Sequence, residues 1–174
     1  MSTTWDWLFR VEEPWIRIGP AEPESAGWIT SSFYAAPGLE VCARHLVGRR
    51  MRTTEGLMAE FAAAFQFFPG FGMSWDPLEE CLMYMDEWLP ADAYVVVVDG
   101  ADELLRDEPI EATKYCLKVL NNVGGFFSVP IADNDCFDRK EVPFHVLFNV
   151  ELDDPACQRL IEIAGQCDVA VRTA

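Results

Sequence analysis

The residues with the clearest chemical potential lie between Ser74 and Trp88. Asp76, Glu79, Glu80, Asp86 and Glu87 occur there without a single Lys, Arg or His. Carboxylates at that density can pair with a partner's lysines or arginines, most strongly in bidentate geometry with a guanidinium. They also repel one another, and a cationic surface would relieve that repulsion. The wider window from Asp76 to Glu111 holds twelve acids and one base, Arg106. Over the whole chain 29 acids stand against 13 Lys and Arg, a net charge of −16. Such a field repels nucleic acid and acidic membranes and steers basic partners inward. Net negative charge also aids solubility, so charge alone leaves both readings open.

Other chemistry is less well supported. His45 and His145 fall in strand-like segments, where a packed ring is the ordinary outcome. No G-x-S-x-G, H-E-x-x-H or P-loop occurs. Asp99-Gly-Ala-Asp-Glu103 follows a strand, where α/β sheets bind ligands, but it lacks the spacing of a calcium loop. No catalytic residue, metal site or cofactor is expected. The six cysteines, Cys42, Cys81, Cys116, Cys136, Cys157 and Cys167, form no C-x-x-C pair. Most sit in apolar surroundings, so reduced and buried thiols are expected. The stretch Met1 to Trp15 is broken by Asp6, Arg10, Glu12 and Glu13, unlike a signal peptide. No apolar run approaches the ~20 residues of a membrane span. The expectation is a cytoplasmic protein with neither a membrane nor a nucleic acid as its partner.

The elements that must hold the carboxylates can be read from periodicity. The chain has 174 residues, 51 % of them hydrophobic and 13 % aromatic, enough for one globular domain. Residues 1–38 read as a strand-rich N-terminal extension. Its two short strands, Trp15 to Ile18 and residues 28–33, pack on the main sheet or cover an edge. The core spans residues 39–150. It begins with a buried strand from Leu39 to Val47 and a turn at Gly48-Arg-Arg. A helix capped by Thr53 or Thr54 follows, to about Gln66, with Leu57, Met58, Phe61, Ala64 and Phe65 on its apolar stripe. Phe67-Phe-Pro-Gly-Phe-Gly72 is a loop. After the acidic segment, Tyr94 to Val98 has the apolar, β-branched run of a central parallel strand. A helix from Ile110 to Asn122 is closed by Gly124-Gly125, and Phe144 to Val150 is a further strand. Residues 151–174 add a helix started by Asp153-Asp-Pro and a possible strand at Val169 to Val171. The order β-α-α-β-α-β predicts an α/β fold: a small parallel sheet of three or four strands flanked by helices.

The acidic segment itself reads as a helix from Ser74 to Trp88. Pro77 fits its first turn. Ser74 or Asp76 caps it, and with Asp76 as cap Glu79 completes a capping box. Leu78, Cys81, Leu82, Met85 and Leu89 share one stripe. At about 100° per residue, Asp76, Glu80, Met83 and Glu87 form the opposite, outward ridge.

The stretch Gly72-Met-Ser-Trp-Asp-Pro-Leu-Glu-Glu-Cys-Leu82 resembles the second-helix region of the barstar family. There a glycine-bearing aromatic loop leads into N-x-D-x-L-x-D-C-L. Ser74 stands for the Asn, Asp76 for the first Asp, Leu78 for the Leu and Glu80 for the second Asp, before Cys81-Leu82. The surrounding elements follow in family order over about residues 39–150. The resemblance implies a small parallel sheet flanked by helices. It also implies 1:1 inhibition of a secreted, microbial, guanyl-preferring ribonuclease by insertion of the acidic helix and the loop before it. Asp76 and Glu80 would be the main inhibitory carboxylates. Phe68, Phe71, Gly72, Ser74, Trp75, Glu79, Met83 and Glu87 would supply the surrounding contacts. Glu80 is one methylene longer than the family's Asp, and Glu79 stands where the family has Trp. No acid occurs from Val119 to Val123, where the family carries one on its third helix. These departures point to a related ribonuclease with its own active-site spacing. The rival readings are an immunity or interaction protein for another basic nuclease or toxin, and an acidic mimic of nucleic acid.

Overall fold

A computed structural model describes residues 6–20, 38–132 and 138–173. Five strands form one sheet: β1 (Ile16–Gly19), β2 (Val41–Val47), β3 (Ala93–Asp99), β4 (Phe144–Asn149) and β5 (Val171–Thr173). All pair in parallel, in the order β2-β3-β4-β1-β5. Four α-helices connect them: α1 (Thr54–Phe65), α2 (Trp75–Met83), α3 (Ile110–Phe127) and α4 (Pro155–Gln166). The α/β class and the parallel sheet are as expected. The sheet is larger than the three or four strands read from the sequence, because both ends of the chain enter it. β1 does more than cover an edge: it lies between β4 and β5, with Ile16 opposite Val146 on one side and Val171 on the other. The expected strand at 28–33 lies outside the described residues.

β3 organises the sheet. All residues from Ala93 to Val98 are buried, as a strand covered on both faces requires. Tyr94, Val96 and Val98 join the cluster that takes in the apolar stripes of α1 to α4. Val95 and Val97 face the other way, onto Trp7 and Leu8 of a short 3-10 turn, Asp6–Phe9. β2 is an edge strand and not a fully buried one, which leaves His45 exposed. Its outer backbone is partly capped from within. Arg44 Nη1 donates to the Ala43 carbonyl (3.0 Å), and Glu60 accepts from Val47 N–H (3.1 Å). Such self-capping blunts pairing with another chain.

The helix starts follow their sequence signals. Thr53 Oγ1 accepts from Gly56 N–H (3.1 Å), and Asp154 accepts from Ala156 N–H (2.8 Å) just before Pro155. Two helix ends depart from expectation. The acidic helix stops at Met83 and tightens into a 3-10 turn, Met85–Glu87, instead of running to Trp88. The tighter turn puts Met85 in the core and lets Trp88 Nε1 donate to the Phe65 carbonyl at 2.9 Å. α3 continues through Gly124-Gly125 to Phe127, whose ring packs between Tyr94 and Phe144. Gly124 is there for closeness and not for termination: a Cβ on it would lie 2.3 Å from Trp15 Cγ.

The described thiols Cys42, Cys81, Cys116, Cys157 and Cys167 are free and buried, as expected; Cys136 lies outside the described residues. Burial pushes the Cys116 thiol up to about 12, which keeps it protonated and unreactive. His145 is fully buried against Trp7 and Trp15, and its Nε2 lies 2.9 Å from the Arg10 carbonyl. Burial lowers its pKa, with a smaller push from Arg172. The backbone of Arg10 and Trp15, and Glu12, oppose that shift.

Two predictions follow from this packing. Gly124→Ala improves helix propensity yet forces its methyl into the Trp15 ring, and should cost about 1–3 kcal/mol of stability. Gly125→Ala meets nothing within 4 Å and should instead stabilise by about 0.5–1 kcal/mol. Urea unfolding with unchanged m-values checks both, and equal effects at the two positions would refute the packing role of Gly124. For His145, the unfolded chain takes up a proton near pH 6.5 that the buried ring resists. A folded pKa held below the unfolded one makes stability fall as pH drops through and below the unfolded value of about 6.5. That slope should shrink in His145→Gln.

Candidate partner-binding surface

α2 packs on α3 and the sheet through Leu78, Cys81 and Leu82, and Met85 in the turn after it continues the stripe; all four are buried. The helical period therefore turns Asp76 and Glu80 to solvent, one turn apart, or about 6 Å between their Cβ atoms. Met83 is half-buried and Glu87 exposed. Ser74 occupies the N-cap position, but no side-chain cap bond forms. Asp76 sits in the first turn, where its charge suits the helix dipole. The capping box between Asp76 and Glu79 is absent. Glu79 instead accepts from Asn122 Nδ2 of α3 at 2.7 Å.

The loop before α2 is held from beneath. Phe67 packs between Phe65 (6.3 Å) and Phe71 (4.9 Å), and a φ of +96° at Gly70 turns the chain. Phe71 and Trp75 are half-buried and lie against the core. Trp75 also stacks on Tyr115 of α3, ring centres 6.1 Å apart. Of the loop residues singled out from the sequence, Phe68, Gly72 and Ser74 are the exposed ones. The structure thus exposes Asp76, Glu80, Gly72 and Ser74, gives Phe71 and Trp75 mainly supporting contacts, and ties Glu79 to α3.

Several exposed residues around this surface escaped the sequence reading. Phe68 is joined by Met73, Tyr84, Trp88 and Tyr115 as large apolar side chains open to solvent. Tyr115 carried a signal. Glu111, Tyr115, Lys118 and Asn122 are all exposed and recur at helical spacing, the outward stripe of α3. Tyr84 carried none, since its exposure depends on α2 ending one residue earlier.

The acid-rich window sorts into two groups. Asp86 pairs with Arg139 (3.3 Å), Asp92 with Lys140 (2.8 Å), Glu103 with Arg52 and Arg106, and Asp107 with Arg52. The Lys140 and Arg52 contacts hold Asp92 and Asp107 below the usual carboxylate range. Asp99 is hydrogen-bonded to His45 and Asn149, and Glu108 to Thr54 N–H. The loop 99–103 therefore sends Asp99 and Glu103 to separate partners. Asp76, Glu80 and Glu87 have no side-chain hydrogen bond or ion pair with another described residue; nor do Asp102 and Glu111, which lie off this ridge. Lys118 sits on the α3 stripe between Tyr115 and Asn122, both in contact with α2, and it too forms no ion pair among the described residues.

A family model described as Barstar (barnase inhibitor) matches residues 41–149. Neither the curated proteins nor the solved structures give a significant match. The matched span opens on the first residue of β2 and closes on the last of β4, so it contains α1, α2 and α3 with the whole acidic ridge. β1, α4 and β5 lie outside it and complete the same sheet and core. With well over half of the chain matched, the protein belongs to the Barstar (barnase inhibitor) family of ribonuclease inhibitors.

Proposed function

We propose that the chain inhibits a secreted, microbial, guanyl-preferring ribonuclease in a 1:1 complex, by inserting the outward ridge of α2 and the loop before it into the active site. It acts by occupying that site and not by catalysis. The observation that carries this reading is the pair Asp76 and Glu80: exposed, one turn apart, and without a side-chain hydrogen bond or ion pair to any other described residue. Most other acids of the window are tied to the chain's own groups, so solubility alone is a poor account of this pair. An enzyme that cleaves RNA must hold phosphate with cationic groups. Two carboxylates on a rigid helix can stand where phosphate oxygens would lie. Glu80 has the reach for bidentate pairing with an arginine.

Phe68 and Met73 are exposed on the chain just before α2, and Tyr115 is exposed on α3, stacked on Trp75. Apolar rims of this kind exclude water around central charged contacts and raise their value. Trp75 and Phe71 stiffen the loop, which lowers the entropy lost on binding. Glu79, held by Asn122, places a third carboxylate on the α3 flank in an arrangement fixed before binding. The buried thiols suit a reducing compartment, and the cytoplasm is the proposed location.

The reading is tested by mixing the purified chain with a panel of secreted guanyl-specific ribonucleases and following RNA cleavage. Inhibition of at least one enzyme at near-stoichiometric ratio is expected, and none across the panel would refute the reading. Asp76→Ala and Glu80→Ala should each weaken that complex by about 2 kcal/mol or more, in the range of desolvated charged hot spots to which the barnase–barstar pair itself contributes. Losses below about 0.5 kcal/mol at both positions would put the interface elsewhere. Association should also slow steeply as salt rises from about 0.05 to 0.5 M, because the Debye length shrinks across that range. A flat response would argue against steering by the ridge.

A further inference from the structure

Met83, at the end of α2, and Glu87, in the 3-10 turn after it, line a cleft of ≈ 430 Å³. Tyr84, 49 % exposed, lines it too, and its ring meets the half-buried Phe126 edge to face at 5.8 Å. Arg139 also lines the cleft, with its side chain only 8 % exposed. Its guanidinium lies 5.0 Å over Phe126 and 4.6 Å over Phe127, and 3.3 Å from Asp86. It also donates to the carbonyls of Phe126 and Phe127, each at 3.2 Å. These contacts fix Arg139 in place and leave it little capacity for an outside anion.

The remaining charge decides what the cleft can receive. Asp86 is neutralised by Arg139, and Lys140 by Asp92. Glu87 is exposed and forms no ion pair among the described residues. The walls offer Met83, Tyr84 and Phe126 as apolar and aromatic surface, and Glu87 adds an uncompensated negative charge. A long aliphatic stem ending in a cation matches both: the methylenes cover apolar surface while the charged head stays at the rim. An aromatic face next to a carboxylate also favours a cation. An anionic or purely apolar occupant would leave Glu87 unfavourably placed.

We propose that this cleft is a second docking element of the inhibitory interface, which receives a basic loop tip of the ribonuclease. The stem of a lysine or arginine lies on Met83, Tyr84 and Phe126, and its cation meets Glu87. The proposal rests on the ribonuclease reading above and extends it: the contact runs past the inhibitory acids, off the end of α2. It also assigns a role to Tyr84, which the acidic motif does not include.

The test uses the full chain and a secreted guanyl-preferring ribonuclease that it inhibits, with binding kinetics at two salt concentrations. Glu80→Ala reports on the ridge; Tyr84→Ala, Glu87→Gln and Glu87→Lys report on the cleft. Tyr84→Ala should speed dissociation about tenfold with an unchanged salt response. Glu87→Lys should raise Kd by about tenfold or more and flatten the salt dependence of association, with Glu87→Gln in between. If Glu80→Ala weakens binding while the Tyr84 and Glu87 variants stay within about twofold of the parent, the cleft is no part of the interface and the proposal falls alone. If no ribonuclease is bound at all, the underlying reading falls and the cleft assignment with it. Should Tyr84→Ala fail to fold, the two Glu87 variants decide, since that side chain is exposed and supports no packing.

Discussion

The burial of β3 on both faces is the constraint from which the rest follows. A parallel strand of this kind exposes no polar face, so every side chain from Ala93 to Val98 must be covered. The Tyr94, Val96 and Val98 side draws the apolar stripes of all four helices onto one face. The Val95 and Val97 side is closed by Trp7 and Leu8 from the N-terminal turn. The parallel step from β2 to β3 also needs a crossover, and here that crossover contains α1, the aromatic loop and α2. α2 must turn Leu78, Cys81 and Leu82 inward to serve the core. By helical period alone, Asp76 and Glu80 must then point out. The surface that α2 leaves to solvent is the complement of the surface the core requires.

Much of this could be read from the sequence, for reasons that differ from element to element. β3 was legible because a β-branched run carries its own signature, and α4 because Asp154 and Pro155 mark a helix start. The phase of the acidic helix was legible because inward and outward residues differ in polarity at every turn. The errors occurred where a tertiary contact overrode a local signal. Gly124-Gly125 resembles a helix stop, yet the missing side chain at Gly124 makes room for Trp15, more than a hundred residues earlier in the chain. Ser74 to Trp88 resembles one helix, yet the Trp88 indole is drawn to the Phe65 carbonyl, and the backbone tightens to reach it. β1 reads as peripheral because short strands carry little pattern. Only the pairings of Ile16 with Val146 and Val171 reveal that it joins β5 to the sheet.

The candidate surface was legible in its charges and not in its rim. Spacing identified Asp76 and Glu80. It could not tell that Phe71 and Trp75 would turn toward the core while Phe68, Tyr84 and Tyr115 stayed open. Nor could it tell that Glu79 would be claimed by Asn122. That contact fits the departures from the family pattern. Where the family carries a Trp, this chain has an acid, and α3 supplies an amide to hold it. The two changes are complementary: a carboxylate at position 79 unsupported by α3 would add repulsion beside Glu80, whereas an amide donor disperses part of its charge.

What separates a binding ridge from a merely soluble one is how the chain uses its few cations. Arg52, Arg139 and Lys140 are placed on the acids Asp107, Asp86 and Asp92, and not on Asp76 or Glu80. Lys118, on the exposed stripe of α3 between Tyr115 and Asn122, forms no ion pair among the described residues. Asp76 and Glu80 therefore repel across one turn, at a cost of a few tenths of a kcal/mol to the helix. The unrelieved repulsion is small against the stability of the fold, and the cationic surface of the proposed partner would relieve it. The same term that slightly weakens the free protein would therefore favour the proposed complex, and a partner that lacks matching cations would gain nothing from it.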